Sequence, residues 1–405
     1  MAARTIGHAG PPREIGLIEA PKKTIGRVGR RRKSAERSRY FDQADFRRRS
    51  HQGPLPCTAL SRSVTAPLPH ATIPSMGRNG ARVIVTGGAG FIGSALVAGL
   101  NAAGVSDITI VDNLGESEKW RNLVGKRFTR YLHKDAFLAS VQAGSWSEKP
   151  DTVFHLGACS STTELNSDYL FKNNVAYSQI LCEHALSWGS RFIYASSAAT
   201  YGLGERGYDD DPAKLGELKP INRYGFSKHV FDRWVVDKGL SDKVVGLKFF
   251  NVFGPNEYHK GGMVSMVLRA AQQIKASGAV RLYKSTSPKF KDGEQRRDFI
   301  SVNDCVAAML RLASSETKVN GIFNLGTGTS RTWNDLALAV FAALKVSPRI
   351  EFIDMPNSLV PGYQNFTEAK MERLKAALPG FTTSTLEAAV DEYVTRFIEP
   401  GLVIF

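Results

Sequence analysis

Cysteine is scarce in this chain. Only Cys57, Cys159, Cys182 and Cys305 stand among its 405 residues, far apart and with no CxxC pair. That spacing argues against a disulfide framework and against a zinc site, and it suits a reducing compartment. Long apolar runs are missing too: no stretch approaches the ~18 consecutive apolar residues that a membrane span needs. No internal repeat is visible. What remains, 42% hydrophobic and 10% aromatic residues, is the composition of an ordinary globular protein with room for a large core and two domains.

The formal net charge of +15 would suit a nucleic-acid binder if it were spread along the chain. It is not. Residues 1–75 hold fifteen Lys/Arg against five Asp/Glu, a net of +10, which leaves +5 for residues 76–405. The excess sits in Arg30–Lys33 and Arg47–Arg49, among stretches with no helical or strand period. Such composition buries too little apolar surface to offset its ordering entropy, so residues 1–78 are expected to be a disordered basic extension. It can be read as an arm for nucleic acid or membrane, or as an Arg-rich transit peptide. The preferred reading is a start assigned too early, because Met76 stands just ahead of the first strand pattern. Neither nucleic acid nor membrane is then a partner.

From residue 81 strands and helices alternate, which predicts an α/β fold with a doubly wound parallel sheet of Rossmann type. Strands are expected at 82–86, 108–112, 151–156, 191–196, 244–250 and 321–325. Helices are expected at 91–103, 168–188 and 224–240, and later near 263–276, 304–314, 333–344, 367–378 and 384–398. The dinucleotide-binding domain should span 79–250. A smaller substrate-binding domain should follow over 251–405, with about 300–330 returning to the sheet. The segment 284–297 reads as an exposed insertion whose charges are mostly solvated.

The most informative stretch is Val83–Gly93, a β-branched run followed by Gly87, Gly90 and Gly93 and then by an apolar helical pattern. Gly87 allows the tight turn, Gly90 lets backbone amides approach a pyrophosphate, and Gly93 lets the helix pack on the strand. The anion would sit at the helix N-terminus. A second strand ends in Asp112, at about the ~20-residue distance expected for a ribose ligand. Asp112 alone favours NAD; the nearby Lys119 and Lys134 would offset its repulsion of a 2′-phosphate and favour NADP, with NAD the alternative.

Chemistry should lie at the strand ends. Tyr224 and Lys228 share one helical face, and of twelve tyrosines only Tyr224 has a lysine four residues on. The ammonium is expected to lower the phenol's pKa from ~10, while Ser197 holds the substrate oxygen. This is a proton acceptor for an alcohol that loses hydride to a nicotinamide.

Taken in order, Thr86–Gly93, Ser197 and Tyr224/Lys228 resemble the extended short-chain dehydrogenase/reductases that modify nucleotide-activated sugars. His155–Thr163 (HLGACSSTT), Ser196–Gly202 (SSAATYG), Asn251–Pro255 (NVFGP) and His259–Gly262 (HKGG) look most like the ADP-L-glycero-D-manno-heptose 6-epimerases. The resemblance covers about residues 81–400. It implies an isomerase that oxidises C6 of ADP-heptose to a ketone and re-reduces it, with tightly held NADP and no net redox change. It also implies a cytoplasmic homo-oligomer, a pentamer, that supplies heptose for lipopolysaccharide.

Residue by residue, the resemblance assigns Phe91, Ile92, Asp112, Asn113, Lys119 and Lys134 to the cofactor. Leu156, Gly157, Ala158, Cys159 and Ser160 would line it, with Asn173, Lys228 and Val252 further along. Ser197, Asn251, Lys260, Gly262, Arg269, Tyr283, Lys284, Ser285, Thr286, Arg297 and Tyr363 would face the substrate. Gly262 stands where the family can carry serine, and Arg269 where it can carry histidine. Lys260 has two readings, a second acid/base serving the other epimer or a diphosphate binder. Cys159 reads as a packing residue, and His155 and His259 as structural. Ala198 and Ala199 occupy the positions where a 4,6-dehydratase needs an acid pair. A UDP-sugar 4-epimerase remains the alternative enzyme; a non-catalytic dinucleotide or nucleic-acid binder would have no use for Tyr224 and Lys228.

Overall fold

The computed structural model describes residues 80–315 and 319–405, so the extension expected to be disordered, with Met76, lies outside the described residues. Short apolar runs alternate with helices through the first half: β1 (Val83–Thr86), α1 (Phe91–Ala102), β2 (Ile108–Asp112), β3 (Arg130–His133), α2 (Lys134–Gln142) and β4 (Thr152–His155). Next come α3 (Ser167–Leu170), a π turn (Phe171–Ala176), α4 (Tyr177–Ser187), β5 (Arg191–Ser197), α5 (Arg223–Asp237) and β6 (Val244–Phe249). The second half holds β7 (Asn251–Phe253), α6 (Met266–Ser277), β8 (Val280–Tyr283), β9 (Arg296–Ser301), α7 (Val302–Ser314) and β10 (Gly321–Leu325). It ends with β11 (Ser330–Thr332), α8 (Trp333–Leu344), β12 (Ile350–Ile353), α9 (Glu372–Ala377) and α10 (Leu386–Tyr393).

Seven strands form one parallel sheet in the order β10-β6-β5-β4-β1-β2-β3. Every residue of β1, β2, β4 and β6 is buried, as strands covered on both faces require. The order reverses between β1 and β4, and in such Rossmann-type sheets the crevice beyond those strand ends takes the ligand. A second hydrophobic core, around Phe253, Val267, Phe299, Leu336, Val340 and Tyr393, is drawn entirely from the later half. Two later elements go back to the large sheet: α7 packs on α1, and β10 pairs with β6.

Several sequence expectations change: α2 and the strands β7, β8, β9, β11 and β12 were not anticipated, and three further differences have a local physical reason. β3 was not anticipated, because Arg130-Tyr131-Leu132-His133 is a half-exposed edge strand without a β-branched residue. The helix expected at 367–378 shrinks to Glu372–Ala377. Ahead of it, Thr367 accepts the Asp298 N–H at 3.2 Å and Ala369 donates its N–H to the Asp298 carboxylate at 3.0 Å, which holds that segment out of helix. The insertion 284–297 does expose Lys284, Lys289 and Lys291, but its end enters β9 and Arg297 is buried.

His155 closes β4 inside the core. Its Nδ1 is 2.7 Å from Thr86 Oγ1, its Nε2 is 2.8 Å from Ser178 Oγ, and its ring stacks on Tyr177. Burial pushes its pKa down to about 3, so the folded protein keeps the imidazole neutral. The unfolded chain takes up that proton near the ordinary ~6.5. Stability should therefore fall as pH drops from about 6.5 toward about 3, by at most ~1.4 kcal/mol per pH unit from this group. Urea titrations of His155→Gln should show a correspondingly shallower acid dependence. An unchanged slope would mean that this ring is not the titrating group.

Candidate active site

The turn after β1 is built by contact. Gly87 has φ +69°, and a Cβ there would lie 2.7 Å from the Gly157 nitrogen; one on Gly93 would lie 2.1 Å from the Gly87 carbonyl. Only glycine lets strand, turn and helix approach this closely. Gly90 caps α1 without a side-chain hydrogen bond, so the first-turn amides of Phe91 and Ile92 have no side-chain acceptor. Those amides suit a pyrophosphate.

Asp112, at the end of β2, holds the turn. One carboxylate oxygen accepts the Ala89 N–H at 2.8 Å, and the other accepts the Asn113 N–H and the Lys119 ammonium, both at 2.7 Å. Lys119 thus neutralises Asp112 directly. Beside them opens a cavity of about 140 Å³ whose wall includes Asn113, Lys119, Lys134, Gly157, Ala158, Cys159 and Asn173. Ten of the residues that the resemblance assigned to a dinucleotide meet here or at the turn. The π turn lets the adjacent Asn173 and Asn174 both face inward. Asn173 accepts from Lys134 Nζ at 2.9 Å, while Asn174 accepts the Cys159 N–H at 2.8 Å. Burial pushes the Cys159 thiol up, as suits a packing residue. Leu156 packs against the core, and Ser160 is exposed beside it.

Ser197 ends β5 and Tyr224 stands in the first turn of α5, which is capped by Asn222 through the Gly225 N–H at 2.7 Å. The phenol hydrogen-bonds Ser197 and lies close enough to Cys159 to interact with it. Lys228, one turn on, donates to the Ala195 carbonyl at 2.8 Å. Burial draws this ammonium down to about 8, against the pull of Asp232. The phenol, however, is raised rather than lowered: burial dominates, and the Ser197 hydrogen bond opposes it. The expectation that Lys228 depresses it is not met, because the cost of burying a phenolate outweighs any pull of the nearby ammonium.

Sequence reasoning missed Asp232, although Tyr224, Lys228 and Asp232 recur every four residues on one face of α5. Asp232 is fully buried with Lys248, 2.6 Å away, and also accepts from Ser196 at 2.7 Å and Tyr194 at 3.0 Å. Lys248 also donates to Thr200 at 2.8 Å, whose hydroxyl in turn donates to the Ser197 carbonyl at 2.9 Å. The strand end bearing Ser197 is thus tied to the helix bearing Tyr224.

Lys260 lies over the Phe91 ring, 5.2 Å from its centre, in a loop whose Gly261 has φ +53°. Burial lowers its pKa and Glu257 opposes the shift. Asn251 and Val252 lie on β7, which pairs with β9. Arg269 is exposed and donates to the carbonyl of exposed Gly262. Arg297 is buried against Tyr363, 5.1 Å away, and Trp333, 5.5 Å away. Trp333 donates to the Tyr363 hydroxyl at 2.9 Å, and Tyr283 lies near enough to influence that phenol. Trp333 was missed; only the pairing of β9 with β11 brings the start of α8 here. Lys284 pairs with Asp354, Ser285 is tied to Asp292, and Thr286 is exposed, so this loop stands apart from the Arg297 cage in its bonding.

The model of the NAD dependent epimerase/dehydratase family matches residues 83–326. An ADP-L-glycero-D-manno-heptose-6-epimerase of Nitratidesulfovibrio vulgaris is 52% identical over 315 residues, covering 78% of this chain and 97% of that protein. The chain belongs to the heptose 6-epimerase branch of this family. It is therefore an epimerase, an isomerase on a Rossmann-type fold. The solved ADP-L-glycero-D-manno-heptose-6-epimerase of Helicobacter pylori superposes with TM-score 0.65 at 27% identity, covering 78% of this chain and 96% of that one. UDP-glucose 4-epimerase of Thermus thermophilus, solved with NAD, gives 0.61 at 26% identity, covering 78% and 99%. The family and this neighbour establish a nicotinamide dinucleotide as the cofactor class.

Proposed function

We propose that the enzyme interconverts ADP-D-glycero-D-manno-heptose and ADP-L-glycero-D-manno-heptose by oxidising and re-reducing C6. The observation that carries this reading is that two separate proton-carrying groups border the cofactor site: Tyr224 beside Cys159, and Lys260 over Phe91. A bound nicotinamide supplies a hydride acceptor and donor for C6. Tyr224 takes the C6 hydroxyl proton from one epimer while Ser197 holds the oxygen. Rotation about the bond to the exocyclic carbon turns the ketone's other face, and Lys260 protonates the new alkoxide. Lys228 keeps the start of α5 against the end of β5 through Ala195. Arg297 and Tyr363 offer a cation and an aromatic face to the nucleotide. The enzyme works as a cytoplasmic homo-oligomer and supplies heptose for lipopolysaccharide; among the described residues no helix is long and apolar enough to cross a membrane.

NADP is the preferred cofactor in this reading, because Lys119 cancels the Asp112 charge and Lys134 lines the same cavity. Lys119→Met should weaken NADP binding about 10-fold or more, the scale of a lost charged hydrogen bond, and should affect NAD much less. Calorimetric titration with both dinucleotides decides it; equal losses would remove the 2′-phosphate argument. The activity itself is tested by incubating the enzyme with each ADP-heptose epimer and following the product by NMR. Interconversion of UDP-galactose and UDP-glucose without turnover of either heptose would assign a 4-epimerase instead.

A further inference from the structure

The loop that carries Lys260 is fastened to the cofactor turn by a side chain from neither. Asn122 sits in a short 3₁₀ helix (Glu118–Leu123) and is buried. Its amide nitrogen donates at 3.0 Å to the Ala89 carbonyl, in the glycine turn, and at 3.0 Å to the Asn256 carbonyl, 134 residues away. The same nitrogen lies 3.2 Å from His259 Nδ1, next to Lys260. Asn256 adopts φ +76°, unusual for a non-glycine residue, and its own side chain donates to Ser94 of α1 at 2.9 Å. Two asparagines therefore set the backbone at 256–259 against the turn and helix that bind dinucleotide. Lys260 then reaches across Phe91, the first residue of that helix.

We infer that Asn122 is a positioning residue for Lys260: by bridging Ala89, Asn256 and His259 it fixes where the second acid/base stands relative to the cofactor. The inference rests on the acid/base reading of Lys260. It gives His259 a task, that of packing against the bridge behind the lysine, without a part in proton transfer. Burial pushes the His259 pKa down to about 4, so its ring stays neutral beside the lysine at working pH.

The test is a double-mutant cycle on the intact enzyme. Asn122→Leu keeps the volume and removes both donors. Epimerisation at saturating ADP-heptose should fall about 10- to 100-fold, the cost of displacing a catalytic group by about 1 Å. KM, the amount of copurified dinucleotide, and single-turnover oxidation of the Tyr224-served epimer should be nearly unchanged. Placed on Lys260→Met, the Asn122→Leu change should cause no further loss, because the group it positions is gone. Multiplicative losses, an unchanged kcat, or a parallel fall in bound dinucleotide would each overturn the inference while leaving the lysine's role intact. If Lys260→Met alone keeps kcat, the acid/base reading fails, and this inference with it. Should Asn122→Leu fail to fold, His259→Leu removes one partner of the bridge at a half-buried position. It should lose activity a few-fold and show the same absence of further loss on Lys260→Met; multiplicative losses there overturn the inference equally.

Discussion

Tyr224→Phe and Lys260→Met should each abolish most epimerisation, by the roughly 10²–10⁴-fold typical of a general acid/base, and should fail in different halves of the reaction. Tyr224→Phe keeps the ring in its place and removes the hydroxyl that Ser197 contacts. Lys260→Met keeps the stem over Phe91 and removes the ammonium. Each variant should retain slow redox chemistry with the epimer that the other group serves, and mixing the two variants should restore turnover if a released ketone passes between active sites. The competing account, in which Lys260 only binds diphosphate, predicts a raised KM with kcat preserved at saturation. Burial of the ammonium favours the first account, because a lysine held partly out of water gives up its proton more readily. Steady-state kinetics with each epimer separates them.

How much of this was legible in the sequence follows from the range of the interactions involved. Local signals sufficed for β1, α1 and β2, where β-branched runs, spaced glycines and a terminal Asp112 lie within thirty residues of one another. Tyr224 and Lys228 were equally legible, since one helical turn relates them. Edge and tertiary effects were not. β3 pairs only on one side, so its residues need not look like a buried strand. The local pattern places Arg297 in a solvated loop, and only the resemblance set it toward the substrate, until β9 pairs with β11 and Trp333 covers it. The phenol's upward shift was hidden because spacing places Lys228 near Tyr224 but does not show how deeply the phenol is buried. Asn122 gave no sign at all: its partners are 33, 134 and 137 residues away.

Lys248→Met should be the most destabilising single change near the site. Lys248 and Asp232 both have no exposed side-chain surface, and their charged atoms are 2.6 Å apart. Desolvating two ions is costly, and the pair is held at good geometry by hydroxyls from Tyr194, Ser196 and Thr200. Removing only the ammonium strands the carboxylate in the core, which typically costs ~3–5 kcal/mol. Thr200 loses its donor at the same time, and its grip on the Ser197 carbonyl loosens, so turnover should fall along with Tm. Adding Asp232→Asn removes the stranded charge. The double variant should therefore be more stable than Lys248→Met alone, although it has lost one more native group. Urea denaturation of the wild type, both single variants and the double variant gives the coupling directly. Additive losses would show that the pair contributes packing alone and that no buried charge needs its partner.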